Sequence, residues 1–469
     1  MKSFKLLLRF LTVGGLVLLL LIPLLMIRGT ISDREQYQQQ ATERVSQSMA
    51  GPQQFIGPLR VVPYKETRVA DTLNAAGKPE RKAEVVEGYL YQTPKTLLVQ
   101  GSLKPDTRRI GIYDVRVFEW QAGVQAGFEP LELPAVEGRV YGEPTLVIGL
   151  ADVRGVVGSP DFKVDGRPVA MESGTASLAG RMSGMHAGLP QAAGIALPAS
   201  QVIANFRLNG TQALGISPIA DSNRITIGST WPHPLFGGSF LPNRKQIRAD
   251  GFSGDWEISS LASSAQSQLG EQLSKGEGSL TRRSLRSYRG DSKELSPAAA
   301  PSPSGVDTGI DSVDISLVDP TDVYTQVDRA SKYGILFVVL TFVAFGLFEL
   351  IKRLPIHPLQ YLLVGLALAI FFLLLLSLSE HLEFVKAYLI SAVACIGLQF
   401  VYLSGVLRSW LRASGFAVML TALYGVLYSL LISEDNALLM GSLLLFGILA
   451  AIMWITRKVD WYELGSSLR

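Results

Sequence analysis

Six long apolar runs dominate the constraints on this chain, one near the N-terminus and five crowded into the last third. They are Phe10–Ile27, Gly334–Phe348, Leu359–Leu378, Phe384–Leu407, Phe416–Ile432 and Ala437–Ile455. Most are long enough to cross about 30 Å of hydrocarbon as helices. Only closed hydrogen-bonded elements survive in lipid, so these segments are committed to helix. Lys2, Lys5 and Arg9 precede the first run, no small-x-small cleavage site closely follows it, and it reads as an uncleaved anchor rather than a signal peptide.

Charge placement sets an orientation. Lys352 and Arg353, Arg408 and Arg412, and Arg457 and Lys458 follow alternate runs, whereas the connections SEHLE (379–383) and SEDN (433–436) are acidic. The positive-inside rule then puts both termini in the cytoplasm and everything between the first and second spans outside. The resulting division is a cytoplasmic N-terminus (1–9), span 1 (10–27), a periplasmic domain (28–318), a connecting helix (319–333), and spans at 334–351, 359–378, 384–407, 416–432 and 437–455. A cytoplasmic tail (456–469) closes the chain.

From about residue 51 to 262 the texture changes to short apolar runs punctuated by Gly and Pro, several alternating apolar with polar residues. Alternation of period two is the mark of a half-buried antiparallel sheet. Nine strands are expected, among them PLRVVPY (58–64), RIGIYDVRVFEW (109–120) and QVIANFRLNG (201–210), with turn signals at Asp165-Gly166, Asn209-Gly210 and Asp250-Gly251. The expected fold class is therefore mixed: an N-terminal transmembrane anchor, a large mainly-β, sandwich-like outer domain, and a C-terminal bundle of five transmembrane helices. Residues 263–312 are rich in Ser, Gly, Pro and charge and read as a flexible insert.

The connecting helix has its own signals. Asp319 suits an N-cap, Pro320 the first helical position, and Asp322 the positive end of the helix dipole. Asp319, Asp322, Tyr324, Asp328 and Arg329 mark it as a candidate coupling element between the outer domain and the bundle.

Chemistry is sparse. There is one cysteine, Cys395, which excludes an internal disulfide and a Cys-based metal cluster. The chain lacks the nucleophile elbow, the paired-histidine zinc motif and the phosphate-binding loop. No catalytic residue, cofactor or metal is expected, and the chain does not read as an enzyme. The most unusual outer segment is STWPHPLFGGSFLPNRKQI (229–247), where Trp231, His233, Phe236 and Phe240 stand among prolines and glycines. Two readings compete there: a rigid interaction surface, or a corner whose aromatics plug one end of the β core. Asp152 and Arg154 in LADVRG order a turn or hold a ligand. In the membrane, Tyr424 and Tyr428 share a face, and Ser377, Ser391, Ser404, Thr421 and Ser442 can bond between helices.

The formal charge of +3 says little about partners, and nucleic acid is not among those expected. Those expected are the lipid bilayer, an unidentified envelope component, and a membrane protein partner or second copy of the chain.

The stretches GPLRVVPY (57–64), RRIGIYDVRVF (108–118), LVIGLADVRG (146–155), STWPHPLFGGSFLP (229–242) and DPTDVYTQVDRASKYGILFVVLTFVAFGLFEL (319–350) resemble the CreD family of bacterial inner-membrane proteins. The resemblance continues through 353–381 and ends with TRKVDWY (456–462); only 263–312 departs from it. It implies an inner-membrane location and a role in cell envelope integrity and the response to envelope stress, including altered sensitivity to colicins and β-lactams. It carries over no catalytic residue. The expected function is thus a non-enzymatic envelope protein whose outer β domain binds or senses an envelope component. A carrier or channel for a small or lipidic molecule is the alternative, and an envelope-modifying enzyme using Asp152, His233 or Glu380 a second.

Overall fold

The computed structural model describes residues 2–73, 79–189, 196–275, 309–317, 323–352, 357–407, 409–432 and 437–457. They fall into two compact units, one of 1–38 with 321–469 and one of 39–320.

The first unit is helical. Helix α1, Lys2–Ser48, runs 47 residues with Pro23 inside it. At 1.5 Å per residue that is about 70 Å, more than twice the hydrocarbon thickness. The C-terminal helices are α3 (Val323–Lys352), α4 (Pro358–Ser379), α5 (Phe384–Val406), α6 (Trp410–Ile432) and α7 (Ala437–Thr456), while α2 (Ala265–Lys275) belongs to the second unit. Helices α1, α3, α4, α5 and α6 are long and apolar enough to cross a membrane; α7, the last expected span, is helical over 20 residues. The start of α4 is written locally: Pro358 occupies the first turn and His357 exchanges capping bonds with Leu359 and Gln360. Aromatic side chains fill the interior. Phe337 and Phe371 lie edge-on to Tyr424 at 4.8 and 4.7 Å, and the Tyr388 hydroxyl donates to the Tyr424 carbonyl at 2.7 Å. Helices α1 and α4 meet at Gly365, where any Cβ would run into Leu20.

The second unit is a β sandwich. Among the described residues, one sheet runs Glu172–Ser173, Gly184–Gly188, Thr145–Leu150, Gln53–Leu73, Ala213–Ile216, Val313–Leu317, Pro234–Gly238, with Pro79–Gln92 and Arg139–Tyr141 also paired to Gln53–Leu73. A second runs Arg244–Arg248, Gly251–Ser259, Ser222–Ser229, Thr96–Ile110, Tyr113–Phe128, Ser200–Thr211, Val156–Val164, Arg167–Val169, and Leu131–Glu132 pairs separately with Ala196–Leu197. The alternation of apolar residues turns one face of each sheet inward, and the two faces share one core. Phe55 of the first sheet packs at 5.6 Å on Trp120 and 6.0 Å on Phe206 of the second.

Three expectations are corrected. The segment 109–120 is not one strand: the chain reverses at Gly111-Ile112, with Gly111 at φ 62°, so it belongs to two paired strands. Asn209-Gly210 is not a turn, because both residues lie inside Ser200–Thr211. The expected flexible insert is ordered where it begins, since α2 covers the outer face of the first sheet with Ala265, Leu269 and Leu273, all buried beside Leu59, Val147 and Met182. Their i, i+4, i+8 spacing is an apolar stripe that the polar composition of 263–275 concealed. Residues 276–308 of that insert lie outside the described residues, whereas 313–317 form an inner strand.

Candidate functional site

The loop after Ser222–Ser229 divides between core and surface. Trp231 is half-buried, donates its indole N–H to the His233 carbonyl at 2.9 Å and carries the Arg116 guanidinium over its ring at 4.6 Å. Phe236 stands edge-on to Phe252 and Trp256 at 5.5 and 5.7 Å, and the Phe240 carbonyl accepts from the Trp256 indole at 3.2 Å. All three aromatics pack on the sandwich core. His233 is exposed, as are Leu235 and Leu241. Gly238 has φ 79° and sits so close to the Ser312 carbonyl that a Cβ would collide with it. The glycines thus let Pro234–Gly238 lie against Val313–Leu317.

Asp152 and Arg154 hold the end of α1. Asp152 caps the short turn Val153–Gly155, accepting from the backbone N–H of Arg154 at 3.1 Å and of Gly51 at 3.3 Å. Arg154 is bidentate on it at 2.9 and 2.5 Å and extends to the Gln47 and Ser46 carbonyls at 2.7 and 3.3 Å. Those carbonyls belong to the last turn of α1, which has no helical donors left for them. Gln53, fully buried, ties the Asp152 and Asn209 carbonyls together at 3.0 and 2.9 Å. Burial pushes the Asp152 carboxyl up, but the hydrogen bonds from Arg154 and from the Gly51 and Arg154 N–H groups outweigh it, leaving the carboxyl below its usual range.

A buried arginine escapes sequence reasoning. Arg60, 2% exposed, donates to the Glu129 and Pro198 carbonyls (3.3 and 2.5 Å), to the Gln92 amide (3.2 Å) and to the Ser200 hydroxyl (2.5 Å), and lies over the Phe128 ring at 4.9 Å. Burial weakens its hold on its proton; the charge of Asp165 opposes that. Its only sequence signal is a charge inside the apolar run PLRVV, and the partners lie as far off as residue 200.

In the helical unit, Arg34 pairs with Glu380 at 3.2 Å, the carboxylate side chain only 8% exposed. This joins α1, beyond its apolar run, to the C-terminal end of α4, so those two ends lie on one face of the bundle. Of the candidate coupling residues, Asp319 and Asp322 lie outside the described residues. Tyr324 is buried, Asp328 pairs with Lys332 at 2.6 Å, and Arg329 also has a partner. Of the three residues proposed for chemistry, Asp152 is engaged by Arg154 and Glu380 by Arg34, whereas His233 is exposed. His186 contacts the Gly174 carbonyl at 3.0 Å. Among the described residues no three His, Cys, Asp or Glu side chains gather in a way that could hold a metal.

An apolar N-terminal helix, a mainly-β middle and a set of apolar C-terminal helices define a multi-pass membrane protein with one large domain between its first two spans. The chain belongs to the CreD family: residues 5–462 match the family described as inner membrane protein CreD. It is 35% identical over 458 residues to Inner membrane protein CreD of Escherichia coli (strain K12), covering 96% of this chain and 92% of that one. Among solved structures, the M1 zinc metallopeptidase from Deinococcus radiodurans matches with a TM-score of 0.19 at 9% identity, over 35% of this chain and 38% of that one. A mutant of it matches with 0.20 at 8% identity. Likeness that weak carries no argument about this chain.

Proposed function

We propose that this protein is a non-enzymatic component of cell envelope integrity and stress response, whose β domain faces the periplasm and engages an envelope component there. The observation that carries the reading is α1. Its last residues, 39–48, belong to the β unit, where Arg154 and Asp152 fix the final turn. A domain that incorporates the end of the N-terminal helix into its own hydrogen bonding suits load-bearing or sensing at a membrane better than turnover of a diffusing substrate. The exposed face of the 231–242 loop, with His233, Leu235 and Leu241, is the surface offered to the partner. Both termini are cytoplasmic in this reading, in keeping with the alternating basic and acidic connections.

Complementation of a deletion strain, scored as survival under detergent or β-lactam stress, tests it. One gene carries the full chain, another His233→Ala with Leu241→Ser, and a third residues 28–333 on an unrelated anchor. Rescue by the full chain and failure of the loop variant at equal abundance is the expected result. Full rescue by the loop variant would remove that surface, and rescue by the re-anchored domain would reduce the bundle to a tether.

A further inference from the structure

We propose that the inward face of α5 walls a hydrated polar site inside the helical bundle, suited to water and to small uncharged molecules bearing hydroxyl or amide groups. Tyr388, Ser391, Cys395 and Gln399 follow one another at spacings of three, four and four, which places them in one line along the helix. All four are buried, at 2, 1, 3 and 2% exposed. Gln399 lies about 22 Å along α5 from Phe384, deep in the apolar span.

Several Ser and Thr hydroxyls elsewhere in these helices are satisfied by their own backbone. Thr341 donates to Phe337, Ser404 to Val401, Thr421 to Ala417 and Ser442 to Leu439, at 2.7–2.9 Å. On α5 the Tyr388 hydroxyl and the Cys395 thiol reach the Tyr424 and Ala367 carbonyls, but the other two members of the line differ. Both polar atoms of the Gln399 amide and the Ser391 hydroxyl have no hydrogen-bond partner among the described residues. The Tyr424 hydroxyl, from α6, lies against the Cys395 thiol without a well-formed bond. An amide left unpaired in hydrocarbon is costly, and buried polar groups of this kind ordinarily hold internal water or a ligand. No Asp, Glu, Lys or Arg stands between Phe384 and Val406 except Lys386, which pairs with Glu383 at the helix start. The donor and acceptor set is therefore neutral, and so is the ligand class.

Cys395 is the single thiol of the chain and sits within the line, its sulfur 3.6 Å from the Ala367 carbonyl. Thiol reagents attack the thiolate, which forms only where water reaches the sulfur. The full-length protein in lipid vesicles is treated with iodoacetamide, a small neutral polar reagent, and modification of Cys395 is followed by mass spectrometry. Labelling of the folded protein is expected, slowed about tenfold by Gln399→Leu, the weight of one hydrogen bond. Ser391→Ala, a smaller change that tests the line without risk to packing, is expected to slow it less. Complete protection of Cys395 until the protein is unfolded in SDS would overturn the proposal. So would a rise in melting temperature with Gln399→Leu at unchanged labelling, because removing an unpaired amide from a dry core stabilises it.

Discussion

Arg60 is buried at 2% exposure, and four groups from distant parts of the chain converge on its guanidinium. Replacing it with Met strands buried carbonyls, so Arg60→Met should cost about 3 kcal/mol. Lys cannot reproduce the planar fork and should rescue little. Hydrogen exchange of strand Gln53–Leu73 in urea reads both. Asp152 gives a pH signature. Its folded pKa lies below the unfolded one, so its ion pair contributes stability above about pH 4, and that contribution is lost as pH falls through the lowered value. Exchange at Val45–Ser48 should therefore rise on acidification from about pH 4, and Asp152→Asn should flatten the response. The Asp152–Arg154 pair was legible in the sequence, but not its destination: nothing local in LADVRG points to the Gln47 carbonyl, 107 residues away. For the 231–242 loop, composition left two readings open. The packing of Phe236 and Phe240 answers for the core, and His233 stays at the surface.

Elements were legible wherever one local period governed them. Each apolar run became a helix, and alternating stretches became strands, because solvent acts on every residue of such a segment in the same way. Helix α2 failed that test, its three apolar positions being diluted by Ser, Gln and Gly. Its docking is nonetheless strong: Leu269→Ala should cost about 3 kcal/mol, seen as loss of exchange protection over 265–275. Helix contacts inside the bundle were also hidden, since glycines in lipid-facing and helix-facing positions look alike. Gly365→Val should lower the melting temperature of the detergent-solubilised protein by driving α4 off α1, whereas Gly397→Val, with nothing within 4 Å, should leave it unchanged.

At the scale of the molecule, the pairing of Arg34 with Glu380 supplies a constraint independent of the positive-inside rule. Odd-numbered spans run in one direction, so the far ends of the first and third must meet on the same side. Glu380→Arg should reduce the amount of inserted protein, and Arg34→Glu combined with Glu380→Arg should restore part of it, as a charge swap does for a genuine contact. Immunoblots of membrane fractions would check this, and additive losses would dismiss the pair. What no reading of the sequence could supply is the strand order, because sheet neighbours come from remote segments. Strand Val313–Leu317 is inserted between Ala213–Ile216 and Pro234–Gly238, and Ala213–Ile216 also pairs in parallel with Gln53–Phe55. The first and last strands of the domain therefore flank the same short ribbon. A ribosome delivers Gln53 early and Val313–Leu317 after every other strand of the domain, with the helix α3 sequence next in line. Until then the sheet has a missing slat and two raw edges, a form that proteases and neighbouring chains can grip. Completion of the sandwich thus registers only the domain's own synthesis: a copy broken off before Val313 keeps both edges open, and one that has passed Leu317 has none at that place.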